Sequence, residues 1–249
     1  MAELTFNESS YINTANTRHF SVMIDDLKMD VGEGRFGCVC GGAGLGKSRA
    51  VKYYHANSEN TIYLESTFIW KNSDLAFLQD LCRELGIDNP KRNKEWCFRA
   101  ITESLYQNSD TIIFIDEVDR MRNSFLEIVR DITRITLCPV IFIGEPGLLP
   151  MMQQNERVWT RTFEPVQFAP MQPSDILIYA QEAAGAELSL DVAGILHQTK
   201  TKKTAAGNFR LVKRALLYAI AYANAAKAGE ITVQIAEMAI KSAIRWANK

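Results

Sequence analysis

With 249 residues, 47% hydrophobic and 23% charged, the chain has a globular composition and enough length for one large domain or a core plus a smaller one. No apolar run approaches the ~20 residues that span a bilayer, and the first ten residues lack the basic start and apolar stretch of a signal peptide, so a cytoplasmic protein without a membrane segment is expected. A net charge of −1 excludes a uniformly basic nucleic-acid binder, yet residues 192–229 hold seven Lys or Arg and no acidic residue. Either one basic surface on an acidic body or a solvated helix face would give that asymmetry. The five cysteines are scattered without metal-type pairing and read as buried reduced thiols; the three histidines are isolated and predict no metal site.

In chain order, a short helix reaching Leu27 precedes the first strand, Phe36–Cys40. Further short apolar runs at Thr61–Leu64, Thr111–Ile115 and Val140–Ile143 are rich in β-branched and aromatic residues, as strands covered on both faces are. Helical patterns lie between them, at Lys47–Asn57, Ser73–Leu85, Lys94–Tyr106 and Ser124–Thr136, with Ser73 as a candidate cap. This alternation predicts an α/β fold with a parallel sheet and right-handed crossovers. From about Pro170 the pattern becomes helical throughout. Starts are expected at Pro173 and Ser189, followed by Asn208–Ala226 and Thr232–Ala247. The expected division is an N-terminal arm over 1–30, a nucleotide-binding core over 31–170 and an all-helical lid over 171–249.

Residues Gly41 to Ser48 satisfy G-x-x-x-x-G-K-[ST] between a strand and a helix. Glycines let successive backbone N–H groups face phosphate oxygens, and the helix start adds partial positive charge. Gly42, Ala43, Gly44, Leu45, Gly46, Lys47, Ser48 and Arg49 are the expected phosphate cradle. Within it, Lys47 is placed on the β and γ phosphates, and the Ser48 hydroxyl on Mg²⁺. The strand ending in Asp116-Glu117 supplies the complement: Asp116 for the hydration shell of Mg²⁺, Glu117 to orient or deprotonate the attacking water. ATP and Mg²⁺ are the expected cofactors, and hydrolysis the expected reaction.

Together, these motifs and the helical C-terminal part resemble an AAA+ ATPase: a three-layer P-loop core followed by a small helical lid. The resemblance implies that Gly207-Asn208-Phe209-Arg210 starts a sensor-2 helix, with Arg210 on the γ-phosphate. It also implies an arginine finger donated to a neighbouring subunit, for which Arg161 is preferred and Arg157 is the alternative. Sensor 1 is usually a polar residue ending the fourth strand; here Gly144-Glu145 stands there, leaving Glu145 for the role.

The stretch Asn13–Arg18, Gly34-Arg35-Phe36-Gly37 and Gly144 to Leu149 are similar to the phage Mu B protein and related transposition ATPases, from about Tyr11 to the final helix. A separate helix-turn-helix domain like that of Mu B is not expected within these residues. The resemblance implies an ATP-dependent, largely sequence-nonspecific binder of duplex DNA that self-associates into a filament or ring, delivers target DNA to a transposase, and disassembles on hydrolysis. DNA contacts are expected from Lys71, in a loop that lines the DNA-facing pore of related ATPases, and from Lys91, Arg92 and Lys94 in a basic turn. Lys200, Lys202 and Lys203 rank after them. Arg120, Arg122, Arg130 and Arg134 alternate with acidic residues and read as salt-linked faces. The alternatives are a helicase-loader or initiator ATPase, an ExeA-like secretion-assembly ATPase without DNA, and a nucleotide-binding switch with negligible turnover, which Glu117 argues against.

Overall fold

The computed structural model describes residues 3–7, 13–30, 32 and 35–245. Tyr11, Gly34 and Ala247, which bounded or belonged to expected segments, lie outside the described residues. The order is α1 (Ala15–Met29), β1 (Phe36–Cys40), α2 (Lys47–Ala56), β2 (Thr61–Glu65), α3 (Asp74–Glu84), α4 (Lys94–Tyr106), β3 (Ile112–Asp116), α5 (Asn123–Thr136) and β4 (Val140–Gly144). Then come α6 (Leu148–Gln153), α7 (Glu156–Trp159), β5 (Val166–Gln167), α8 (Pro173–Ala184), α9 (Leu190–His197), α10 (Phe209–Ala226) and α11 (Val233–Ala243).

The sheet runs β2-β3-β4-β1-β5, with every pairing parallel. Its three central strands are buried at every position, which is why they read as unbroken apolar runs. Edge strand β2 alternates between buried and more exposed residues. On one face pack α3, α4, α5 and α6, around Trp70, Phe77 and Phe125, whose rings lie 4.8–6.4 Å apart. On the other face Phe20 of α1 and Tyr54 of α2 meet Phe114 of β3. Helix α1 approaches β1 so closely that a Cβ on Gly37 would lie 2.9 Å from Ile141 and 3.1 Å from Leu27. The result is a three-layer α/β core.

The chain clusters into two compact units. One comprises His19–Gly42 and Lys47–Gln167 and contains the sheet; the other comprises the residues up to Arg18, the loop tip Ala43–Gly46 and the residues from Phe168 onward. The second unit has its own core, built on Tyr179, Leu196, Val212, Leu216 and Ala239 from α8–α11. The N-terminal segment lies along these helices, with Leu4 exchanging two hydrogen bonds with the Asn224 side chain.

Caps fix most helix starts. Ser73 caps α3 through the Ala76 amide, as expected, and Asn93, Ser189, Asn208 and Thr232 cap α4, α9, α10 and α11. Observed boundaries differ from the expected ones by a residue or so, except that α11 ends at Ala243 and α1 extends to Met29. The short elements α6, α7 and β5 were not anticipated, being too brief for a periodicity signal.

Candidate nucleotide site

Gly44 and Gly46 have φ of +78° and +99°, in the left-handed region where a side chain is strained. Beyond them the chain enters α2 at Lys47, whose side chain folds back so that Nζ donates to the carbonyls of Gly41 (2.7 Å) and Gly42 (3.0 Å). Burial pushes the Lys47 ammonium below the ordinary lysine range, while the carboxylates of Asp116, Glu145 and Asp119 oppose that shift. One buried ammonium thus lies within the field of three carboxylates.

Asp116 ends β3 and is 2% exposed. Both its carboxylate oxygens are engaged: Tyr63 Oη donates to Oδ2 and the Glu117 amide to Oδ1, each at 2.8 Å. Glu117 follows in the left-handed region at φ +59°, ψ +32°, and its carbonyl accepts from Ser66 Oγ at 2.9 Å. A non-glycine residue held there costs on the order of 1–3 kcal/mol, so the surrounding bonds must impose it. The Glu117 carboxylate pairs with Arg120 across the 3₁₀ turn Val118–Arg120. Asp119, in the same turn, accepts the Glu145 amide on Oδ1 at 2.9 Å, and a Cβ on Gly144 would lie 2.6 Å from that oxygen. A side chain at the end of β4 would have to displace the Asp119 carboxylate and press on Leu148. Glu145 itself is exposed.

The loop tip makes its own bonds within the helical unit. Asn208, 5% exposed, donates from Nδ2 to the Ala43 carbonyl at 2.8 Å, while its Oδ1 caps α10. The Arg210 amide donates to the Gly44 carbonyl at 2.9 Å. Arg210 is exposed, next in the chain to Phe209, which packs near Gly46. In the sheet-containing unit, Lys47, Ser48 and Asp116 suit a nucleoside triphosphate with a divalent cation. The loop torsions admit only glycine comfortably, an ammonium and a helix start supply positive charge, and hard oxygen donors, Ser48 and Asp116, are of the kind Mg²⁺ takes.

Residues 30–152 match the AAA domain family. That stretch, just under half of the chain, is similar to an AAA domain. Over 119 residues the chain is 28% identical to the ATP-dependent target DNA activator B of Escherichia phage Mu, a match spanning 48% of this chain and 38% of that protein. In fold it is similar to Cdc6p from Pyrobaculum aerophilum, with a TM-score of 0.69 at 14% identity over 99% of this chain and 72% of that one. It also resembles the Aeropyrum pernix ORC2 protein in its ADPNP–ADP complexes, with a TM-score of 0.67 at 10% identity, over 97% of this chain and 72% of that one.

Beyond the matched stretch, Arg157 and Arg161 lie on and just after α7. Asn155 caps that helix and donates from Nδ2 to Glu127 Oε1 at 2.7 Å. Glu127 also pairs with Arg130, and more distantly with Arg157 at 3.9 Å; Arg161 donates to the Arg157 carbonyl at 2.8 Å. Arg130, Arg134, Arg157 and Arg161 line a cleft of about 250 Å³. Arg120, Arg122 and Arg130 each have an acidic partner, in Glu117, Asp74 and Glu127 with Asp131.

Of the basic residues expected at DNA, Lys71 is exposed in the turn after β2. Its neighbours Phe68 and Ile69 are 78% and 66% exposed, whereas Trp70 is buried and donates from Nε1 to Asp80 at 2.7 Å. Within the matched stretch, Lys94 pairs with Asp74 at 2.7 Å, Lys91 sits 5.2 Å from the Trp96 ring centroid, and Arg92 is exposed. Lys200, Lys202 and Lys203 are exposed around a tight turn closed by Thr201 and Thr204. The sequence pattern singled out neither Tyr63 nor Asp119, and gave Asn208 only a place at the start of a helix; Arg120 is salt-linked, as expected. The second Asp in Asp116-Glu117-Val118-Asp119 was a usable hint; nothing in the sequence pointed Tyr63 at Asp116.

Among the described residues no helix is long and apolar enough to cross a membrane.

Proposed function

We propose that this chain is an ATPase that uses ATP and Mg²⁺, self-associates on duplex DNA of any sequence and presents that DNA to a transposase, with hydrolysis driving disassembly. The observation that carries the nucleotide chemistry is Lys47 at the start of α2, its buried ammonium folded onto the Gly41 and Gly42 carbonyls of the phosphate loop. Bound Mg²⁺ would neutralise phosphate charge, and Ser48 and Asp116 are the residues that would hold it. On the protein side, Lys47 leaves the loop carbonyls for phosphate oxygens and Ser48 offers its hydroxyl to the cation. Asp116 would serve the cation's hydration shell, and Glu117 would take a proton from the attacking water. Arg210 reaches the γ-phosphate, and Glu145 occupies the sensor-1 position. Arg161, or Arg157 in its stead, completes the site of a neighbouring copy.

Support for the DNA reading comes from the phage Mu relative, whose name describes an ATP-dependent activator of target DNA. That match spans 38% of the relative's length, so assembly, DNA and transposase belong to the proposal. Lys71, Lys91, Arg92 and Lys94 are the leading candidates for phosphate contacts, followed by Lys200, Lys202 and Lys203. The fold likeness to Cdc6p and the ORC2 protein favours a second reading, an initiator or helicase-loader ATPase acting on replication proteins.

The test mixes purified protein with duplex DNA of unrelated sequences, with ATP, ADP or no nucleotide, followed by electron microscopy and phosphate release. ATP-dependent filaments or rings on every duplex are expected. Absence of DNA binding at low salt with any nucleotide would reject the DNA reading, while phosphate release alone would keep the ATPase. Binding confined to one sequence would favour the initiator.

A further inference from the structure

We infer that Tyr63 is a positioning residue of the cation site: its phenol sets the orientation of Asp116 and thereby the affinity for Mg²⁺ in the nucleotide complex. The inference rests on the nucleotide reading above. Tyr63 sits on β2 opposite Phe114, and Glu65 lies opposite Asp116, so the ring stands two residues back from the carboxylate it reaches. Its Oη donates to Asp116 Oδ2 at 2.8 Å. With Oδ1 taken by the Glu117 amide, the carboxylate is held at both oxygens, and rotation about its terminal torsion would break both bonds.

The ring is in turn held by the helix that begins in the phosphate loop. Lys52 of α2 lies 5.0 Å from the Tyr63 ring centroid and is tethered by Glu65 at 3.1 Å. His55, one turn further along α2, packs 6.1 Å from the ring and is anchored by Thr61 at 2.7 Å. A cation on the face of a phenol draws electron density from the ring and makes the O–H a stronger donor. The helix carrying Lys47 and Ser48 is thus linked through Lys52 and Tyr63 to Asp116. Ser48 and Asp116 belong to different elements, and this contact ties them together.

Each Asp116 oxygen keeps a further acceptor direction, which suits hydrogen bonding to the waters of a hydrated cation. Outer partners of this kind commonly change metal affinity by about 10–100-fold when removed. Tyr63→Phe keeps the ring, its packing and the Lys52 contact, and deletes only the donor.

The experiment titrates Mg²⁺ against a fluorescent ATP analogue bound to the full chain, for the unaltered protein and Tyr63→Phe. The variant is expected to need about tenfold more Mg²⁺ for half-saturation, with analogue binding in excess chelator unchanged. In an Asp116→Asn background, adding Tyr63→Phe should have no further effect on the Mg²⁺ midpoint. A merely structural tyrosine would lower the melting temperature without moving that midpoint. Superimposable titrations of Tyr63→Phe and the unaltered protein, or equal weakening with and without Mg²⁺, would overturn the inference and leave the nucleotide reading standing. Analogue binding by the unaltered protein that ignores Mg²⁺ would overturn both.

Discussion

The carboxylate of Glu117 is paired with the guanidinium of Arg120, three residues further along the same turn. The residue proposed to receive a proton from water is therefore held by a cation. The pair is partly exposed, at 34% for the Glu117 side chain and 62% for Arg120, and such pairs are worth roughly 0.2–1 kcal/mol. Breaking it therefore frees Glu117 at little cost. Arg120→Ala is expected to raise DNA-free phosphate release by up to about fivefold, the rate equivalent of that energy. A steady-state assay checks it, and a fall in turnover would show that Arg120 assists the reaction.

Glu117→Gln keeps the shape and the φ of +59° but loses the base. Hydrolysis should fall by about 10²–10⁴-fold, while ATP-dependent assembly on DNA persists or lengthens. Pelleting with DNA under ATP reads assembly independently of turnover. Loss of both would remove the water-activating role from Glu117.

The loop tip gives a second test. A side chain at Gly44 meets two obstacles: the φ of +78°, and an Asn208 Oδ1 that would lie 2.8 Å from its Cβ. Gly44→Ala should abolish detectable nucleotide binding. Asn208→Ala removes the clash but leaves the torsion, which costs an L-residue roughly 1–2 kcal/mol. The double variant should therefore recover only part of the binding. Full recovery in calorimetry would show that crowding by Asn208, rather than backbone conformation, decides the position.

The element types of the core were legible because their cause is local. Central strands buried on both faces must be apolar throughout, and α5, with Phe125, Leu126, Val129 and Ile132 turned inward, carries a strong helical period. The phosphate loop was legible because φ values of +78° and +99° require glycine, and glycine is visible in a sequence. What could not be read depends on side chains meeting across elements. Tyr63 and Asp116 are 53 positions apart, and Asn208 and Ala43 are 165 apart. No local pattern distinguishes Tyr63 from any other tyrosine on an edge strand. Nor does any local pattern show that Asp119 occupies the space a side chain at Gly144 would need.

In the turn after β2, charge and apolar contact can be separated by salt. Lys71→Ala should weaken binding to DNA and reduce the slope of log affinity against log salt by about 0.9, the share of one phosphate contact. Phe68→Ala should weaken binding, if its exposed ring meets sugars or bases, without changing that slope. Fluorescence anisotropy across a salt series measures both. An unchanged slope for Lys71→Ala would remove that lysine from the interface.

Stability should depend on pH through buried thiols. Burial pushes Cys82 up to about 12, and raises Cys138 above the ordinary thiol value. In the unfolded chain both ionise near pH 9, whereas in the folded protein they stay protonated. The folded state then binds more protons above that pH, so stability is full below it and falls as pH rises from about 9 towards 12. The urea midpoint should be level between pH 7 and 8.5 and then decline, with a shallower decline in Cys82→Ala measured against its own neutral value. Equal slopes in the two proteins would assign the alkaline loss to other groups.

The choice between Arg161 and Arg157 rests on what each does besides carrying charge. Arg157 lies 3.9 Å from Glu127, so it already has an anion nearby. Arg161 donates to a backbone carbonyl and has no acidic partner within 4 Å among the described residues. A finger that moves onto a neighbour's phosphate gives up less if it leaves no carboxylate behind, which favours Arg161. Arg161→Ala and Glu117→Gln should each be inactive alone for different reasons: one lacks the donated arginine, the other its own base. Mixed, they form interfaces where Arg161 of the Glu117→Gln copy faces an intact Glu117, and part of the phosphate release should return. Arg157→Ala should keep most activity by itself. Recovery with Arg157→Ala in place of Arg161→Ala, and an active Arg161→Ala protein, would move the finger to Arg157. No recovery from either mixture would place hydrolysis within one chain.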